Sequence, residues 1–232
     1  IEKKYPDKWF NDNEEGNKNE FEHDFLRDQM KRLGLQAKTS KYIKILNSDF
    51  EQKTLDDFGQ YKNHDLLVIV YNFIDILSHA KTDNVIVDQL IRDDKTFRSL
   101  TLNWFENSSL IKIIKTAAEN NYRLVITTDH GMIYVKKPSR VVGDRETSTN
   151  IRYKTGRSLT YEDRDVWAIA NPEKLFLPKG NVSSKYIFAK NNLFFAYPKN
   201  YNHFVNYYKD TYQHGGISLE EIIIPFSVLE PK

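Results

Sequence analysis

The stretch Asp65-Leu66-Leu67-Val68-Ile69-Val70-Tyr71 constrains the fold most, because after Asp65 it is apolar at every position and partly β-branched. A strand with one wet face alternates apolar and polar residues, whereas a continuous run suits a strand covered on both faces in a parallel sheet. A helical stretch follows from about Phe97 to Asn120. Ser108 or Ser109 is placed to cap its second half, and Leu110, Ile113, Ile114 and Ala117 lie on one face. The chain then enters a second apolar run, Arg123 to Thr127. Strand, helix and strand at this spacing predict a βαβ unit, whose crossover makes the paired strands parallel. The expected fold class is α/β, with a mostly parallel central sheet and helices on both faces.

Around this unit the periodicity predicts further elements. Phe21, Phe25, Leu26, Met30 and Leu33 recur at helical spacing over 18–33, and Gly34 follows the last of them. Short strands are expected at Tyr42–Leu46, Val166–Ala170, Tyr186–Ala189, Leu193–Tyr197 and Ile222–Phe226, with a Tyr-rich helix near 201–209. No internal repeat or long Pro/Gly/Ser linker divides the 232 residues, so residues 1–232 are expected to form a single domain, with a basic insertion-like region over about 136–200. No apolar run approaches the roughly 18 to 20 residues of a membrane span, and a cytoplasmic protein without a membrane partner is expected.

Composition limits the chemistry. Without cysteine there are no disulfides, thiolate nucleophiles or sulfur-based zinc sites, so any metal must be held by His, Asp and Glu. The net charge of +2 excludes a general nucleic-acid binder, yet it hides an asymmetry. Glu14–Asp28 holds six acids and two bases, while Lys136–Arg164 holds eight bases and four acids. The second run reads as a solvated loop or as one that faces an anion.

Two Asp/His pairs stand where buried strands end. In NFIDILSHAK, Asp75 and His79 are spaced i, i+4, which puts both on one helix face about 5–6 Å apart at Cβ, close enough to share an ion. In TTDHG, Asp129 and His130 follow the run Arg123–Thr127. Had that strand continued, one of the two would point unpaired into an apolar interior, so the strand is expected to stop and both side chains to turn toward a common site. Gly131 would then permit an unusual backbone angle or a close approach. Outside the carboxyl ends of strands is where open α/β sheets bind ligands. His214, in HGGISLEE, can join Asp75 and His79 as a three-ligand set with an open position. The alternative for HGG, an oxyanion-hole segment, requires a G-x-S-x-G elbow that the sequence lacks. P-loop and G-x-G-x-x-G motifs are absent too. His23, His64 and His203 read as ordinary surface or core residues.

NFIDILSH, TTDHG and HGGISLEEIIIPF, in this order, resemble the alkaline phosphatase superfamily and within it the PglZ domain. IEKKYPDKWF and SRVVGDRE extend the similarity toward the output domain of PorX-like response regulators of type IX secretion. The resemblance implies an alkaline-phosphatase-like fold with its amino-terminal part missing. It implies two zinc ions, one held by Asp75, His79 and His214 and the other in part by Asp129 and His130. The family's remaining aspartate and its threonine nucleophile fall upstream of Ile1, so residues 1–232 alone are expected to be inactive. The implied activity is zinc-dependent phosphodiester or phosphomonoester hydrolysis on nucleotides or oligonucleotides. An upstream receiver domain and a homodimer are implied as partners. Arg140, Arg145 and Arg157 are candidates for clamping substrate phosphate, since a guanidinium matches phosphate in a bidentate manner. The alternative is a metal-binding signalling or protein-interaction module without significant hydrolysis.

Overall fold

The computed structural model describes residues 5–8, 20–45, 47–91, 93–144, 147–178 and 183–231. In chain order its elements begin with α1 (Glu22–Arg32), β1 (Ser40–Ile45), α2 (Ser48–Asp56), β2 (Leu66–Tyr71), α3 (Phe73–Asp83), α4 (Val85–Leu90), α5 (Asp94–Asn107), α6 (Ser109–Glu119) and β3 (Leu124–Thr127). They continue with β4 (Ile133–Val135), β5 (Lys137–Arg140), β6 (Tyr153–Gly156), β7 (Val166–Ile169), β8 (Lys185–Ala189), β9 (Leu193–Ala196), α7 (Tyr201–Tyr208), β10 (Thr211–Gln213), α8 (Leu219–Ile222) and β11 (Phe226–Leu229). Cα packing divides them between two compact units, one built on residues 19–126 with 226–232 and the other on 127–225.

In the 19–126 unit, β1 and β2 pair in parallel from Ser40↔Leu66 to Ile45↔Tyr71, with α2 as the crossover. Asn47 starts that helix by accepting the Phe50 N–H on its side chain at 3.1 Å. The helical stretch expected over 97–120 divides at Ser108, whose extended backbone (φ −81°, ψ 164°) ends α5 and opens α6. Ile113 and Ala117 of α6 pack with Ile45 and Phe58 to form this unit's buried cluster. Gly34 does follow α1, at φ +74°, a left-handed angle that favours glycine. Leu46, at the end of the expected strand 42–46, and residues 18–19 of the expected first helix lie outside the described residues.

The 127–225 unit has two buried clusters fed by alternate residues of one strand. Phe194 of β9 packs with Ile133, Val135 and Ile151, while Phe195 packs with Val141, Val166 and Ile187. The period of two along a strand divides neighbouring side chains between its faces. Here β10 pairs antiparallel with β4, β5 in parallel with β9, and β8 antiparallel with both β6 and β7.

Several sequence expectations change. Among the described strands β3 pairs with β11 and not with β2, so the βαβ unit expected between β2 and β3 does not form, and Val125 and Ile126 of β3 are exposed where a buried strand was expected. The described strands form five small sheets of mixed orientation, so the fold is mixed helix and strand, and one mostly parallel central sheet does not appear among these pairings. Many strands run only three or four residues, too short to extend one broad sheet. The strand expected at Ile222–Phe226 instead begins at Phe226, because Leu219–Ile222 forms the short helix α8. Glu221 reaches back to the Ser218 N–H at 3.0 Å, one arm of a capping box, and this local bond starts a helix where the apolar run suggested a strand. Among the described residues, no helix is long and apolar enough to cross a membrane.

Candidate metal centre

Within the 19–126 unit, Asp75 and His79 lie on α3, the helix that follows β2. The i, i+4 spacing brings His79 Nε2 to 3.4 Å from Asp75 Oδ1, and both side chains are partly open to solvent. Ser78 beside them is buried, and its hydroxyl donates to the Asp75 carbonyl at 2.7 Å. One face of this helix therefore offers a carboxylate oxygen and an imidazole nitrogen together.

Within the 127–225 unit, TTDHG leaves strand geometry as soon as β3 ends. Thr127 donates its hydroxyl to the Pro225 carbonyl at 2.8 Å, and the Thr128 hydroxyl lies 3.0 Å from the His130 carbonyl. Asp129 is 88% exposed and accepts the His130 N–H at 3.1 Å, which leaves carboxylate oxygen facing outward. His130 Nδ1 lies 3.1 Å from the Gly131 carbonyl. A carbonyl can only accept, so Nδ1–H donates in this contact, and in that tautomer the lone pair lies on Nε2. That is the tautomer a metal-ligating histidine takes when a backbone carbonyl holds its other nitrogen.

The partner ring of His130 is His214. β10 runs antiparallel to β4 with Gln213 opposite Ile133, and one further step places His214 across from Met132. His130 is then the diagonal neighbour two residues along, a position within reach of long and aromatic side chains. The two imidazoles stack with centroids 4.1 Å apart and planes 15° from parallel. Ligand-capable atoms of the two rings lie within 4.8 Å of one another.

A buried frame holds both rings. The Glu221 carboxylate accepts from the Gly216 N–H at 2.9 Å and the Ser218 N–H at 3.0 Å, so it closes the loop that follows His214. Its backbone carbonyl accepts the Gly131 N–H at 2.9 Å, beside His130. Arg152 answers the carboxylate with two bonds of 2.9 Å, and these side chains are 0% and 1% exposed. Burial by itself would raise the Glu221 pKa, but the bonds and charge of Arg152, with the two loop N–H groups, hold it below the usual carboxylate value. Asn150 accepts the Arg152 and Tyr153 N–H groups at 2.7 and 3.2 Å, with its amide nitrogen 3.4 Å from the His214 carbonyl.

Glycine is required at two points. A Cβ on Gly131 would lie 2.1 Å from the Glu220 carbonyl oxygen, so the close approach expected at this residue is one of backbone to backbone. Gly215 has φ +96°, and a Cβ there would meet the Asn150 amide at 2.6 Å. Sequence reasoning missed Asn150, Arg152 and Glu221, although Ser218-x-x-Glu221 is a legible capping-box pattern. Arg152 looked like one more base of the loop. The basic run is instead partly internal, since Lys154 is also buried and donates to the Ser148 and Thr149 carbonyls at 2.9 and 3.1 Å.

Arg140 ends β5 and Arg157 follows β6, both exposed, and Arg145 lies outside the described residues. His23 stacks with Tyr42 at 6.0 Å in the 19–126 unit, and His203 packs on Phe204 and Tyr207 of α7.

A hard or borderline divalent cation suits the available donors, which are carboxylate oxygens and an imidazole nitrogen freed by its tautomer, with no thiolate. The family model described as the BREX system PglZ alkaline phosphatase-like domain matches residues 2–229, and the chain belongs to that family. No curated protein gives a match. Membership suggests a hydrolase acting on phosphoesters.

Proposed function

We propose that this domain is a metal-dependent phosphoesterase that uses two zinc ions to hydrolyse phosphodiesters or phosphomonoesters of nucleotides or oligonucleotides. In this reading Asp75, His79 and His214 hold one ion, and Asp129 and His130 contribute to the other. The supporting observation is the His130–His214 stack, in which His130 is locked with Nε2 available for a metal. A bound divalent ion supplies Lewis-acid stabilisation of phosphoryl oxygen and a lowered pKa for coordinated hydroxyl or water.

The chain's own side chains have separable tasks. The carboxylates and imidazoles bind and orient, and none is needed as a general acid or base. Arg140, Arg145 and Arg157 are proposed to bind substrate phosphate through their planar forks. Thr127 and Thr128 are not proposed as the nucleophile; their hydroxyls lie 2.8 Å from the Pro225 carbonyl and 3.0 Å from the His130 carbonyl. The nucleophile is proposed to be a threonine outside residues 1–232, as the family resemblance implies. Following the same resemblance, the domain serves as the cytoplasmic output of a response regulator of type IX secretion. An upstream receiver and a second copy are its proposed partners.

The test is hydrolysis of bis(p-nitrophenyl) phosphate by the chain joined to its upstream segment, with and without a chelator. Turnover that chelation abolishes and zinc restores supports the proposal. Zinc bound without turnover of any phosphodiester would make the domain a metal-binding signalling module instead.

A further inference from the structure

The geometry points to Asn150, Arg152 and Glu221 as positioning residues that set the spacing of His130 and His214. Glu221 acts on both rings by different atoms. Its carboxylate fixes Gly216 and Ser218 just after His214, while its carbonyl fixes Gly131 just after His130. Moving Glu221 therefore moves both imidazoles relative to each other. Asn150 adds a second hold on the same loop, filling the space that a Cβ on Gly215 would need.

Stability alone does not account for the charged pair. A fully buried ion pair loses hydration that its attraction barely repays, and apolar replacements of similar volume are often neutral or better. What apolar residues cannot do is accept two backbone N–H groups at fixed directions. The Arg152 fork holds the carboxylate plane at 2.9 Å on both arms, so the two remaining lone-pair directions are aimed at the loop. Outer residues that orient metal ligands act in this manner, and changing them typically costs 10–100-fold in affinity.

The metal part of this inference rests on the proposed function, but the ring geometry does not, and the experiment separates the two. The full chain is prepared as Glu221→Gln, which keeps side-chain shape, and as the paired variant Arg152→Met with Glu221→Leu. Each is measured in two ways: the ring-proton NMR shifts of His130 and His214 in metal-free protein, and Zn²⁺ affinity by competition with a chromophoric chelator. We expect folded variants whose ring-current shifts move toward unstacked values and whose Zn²⁺ affinity falls about 10–100-fold. Arg152→Lys, which keeps the charge and loses the fork, should fall between them and the unaltered chain. Unchanged ring shifts in folded Glu221→Gln would overturn the inference, whatever becomes of the double variant. If the unaltered chain binds no Zn²⁺, the metal reading fails, and the ring shifts alone still decide the positioning role.

Discussion

Asp75 and His79 meet because they are four residues apart on one helix, which brings them to 3.4 Å. His130 and His214 meet only because strand register, two glycines and a buried ion pair between residues 69 apart in sequence bring them together. The first arrangement is set by local helix spacing. The second is a tertiary construction, so its ligand geometry should fail whenever its packing does. Substitutions in the two units should accordingly separate stability from metal binding in opposite ways.

The largest effect is expected from Arg152→Met alone. It strands the Glu221 carboxylate in the interior, and breaking one side of a buried pair costs about 3–5 kcal/mol. Denaturant unfolding of the metal-free chain checks this, and a loss below about 1 kcal/mol would show that water or another cation replaces the guanidinium. Next comes Gly131→Ala, whose methyl would lie 2.1 Å from the Glu220 carbonyl. Overpacking of this kind costs roughly 1–3 kcal/mol, and the shift it forces should also unstack His130 from His214.

On the helical side the effects are smaller. His79→Ala removes a half-exposed side chain, so metal-free stability should change by less than about 0.5 kcal/mol while zinc content falls. A large change in stability there would erase the contrast between the two units. The smallest effect concerns pH. Asp65, just before β2, is held at a pKa of about 2 by the Lys38 hydrogen bond, then by the Thr39 backbone and side chain. A folded-state value below the ordinary value of about 3.9 favours the native state above that value, and the benefit disappears as pH falls toward 2. Asp65→Asn should flatten this acid-side slope, read from melting temperature against pH. The site lies at the surface, so the change should be slight and should shrink in salt.

The same contrast explains what the sequence disclosed. The i, i+4 pair, the strand at 66–71 and the helix break at Ser108 depend on neighbours within a few residues, and local periodicity carries that information. Asp129 and His130 were legible as an oddity at a strand end. That His130 stacks on His214 was not, because strand pairing across the chain sets it. Glu221 drew no assignment and Arg152 counted as one base of the loop, yet they neutralise each other in the interior. Ile222-Ile223-Ile224 looked like a strand because apolar runs do not declare their period, but the capping bond of Glu221 draws Ile222 into α8, and the strand starts only at Phe226.

Zinc content after loading and gel filtration tests the account most directly, comparing the unaltered chain with His130→Ala, His214→Ala and, as a control within the same unit, His203→Ala. His130→Ala and His214→Ala should each lose bound zinc while His203→Ala retains it. Equal zinc in all four proteins, with the fold preserved, would contradict a metal centre built on the two stacked histidines.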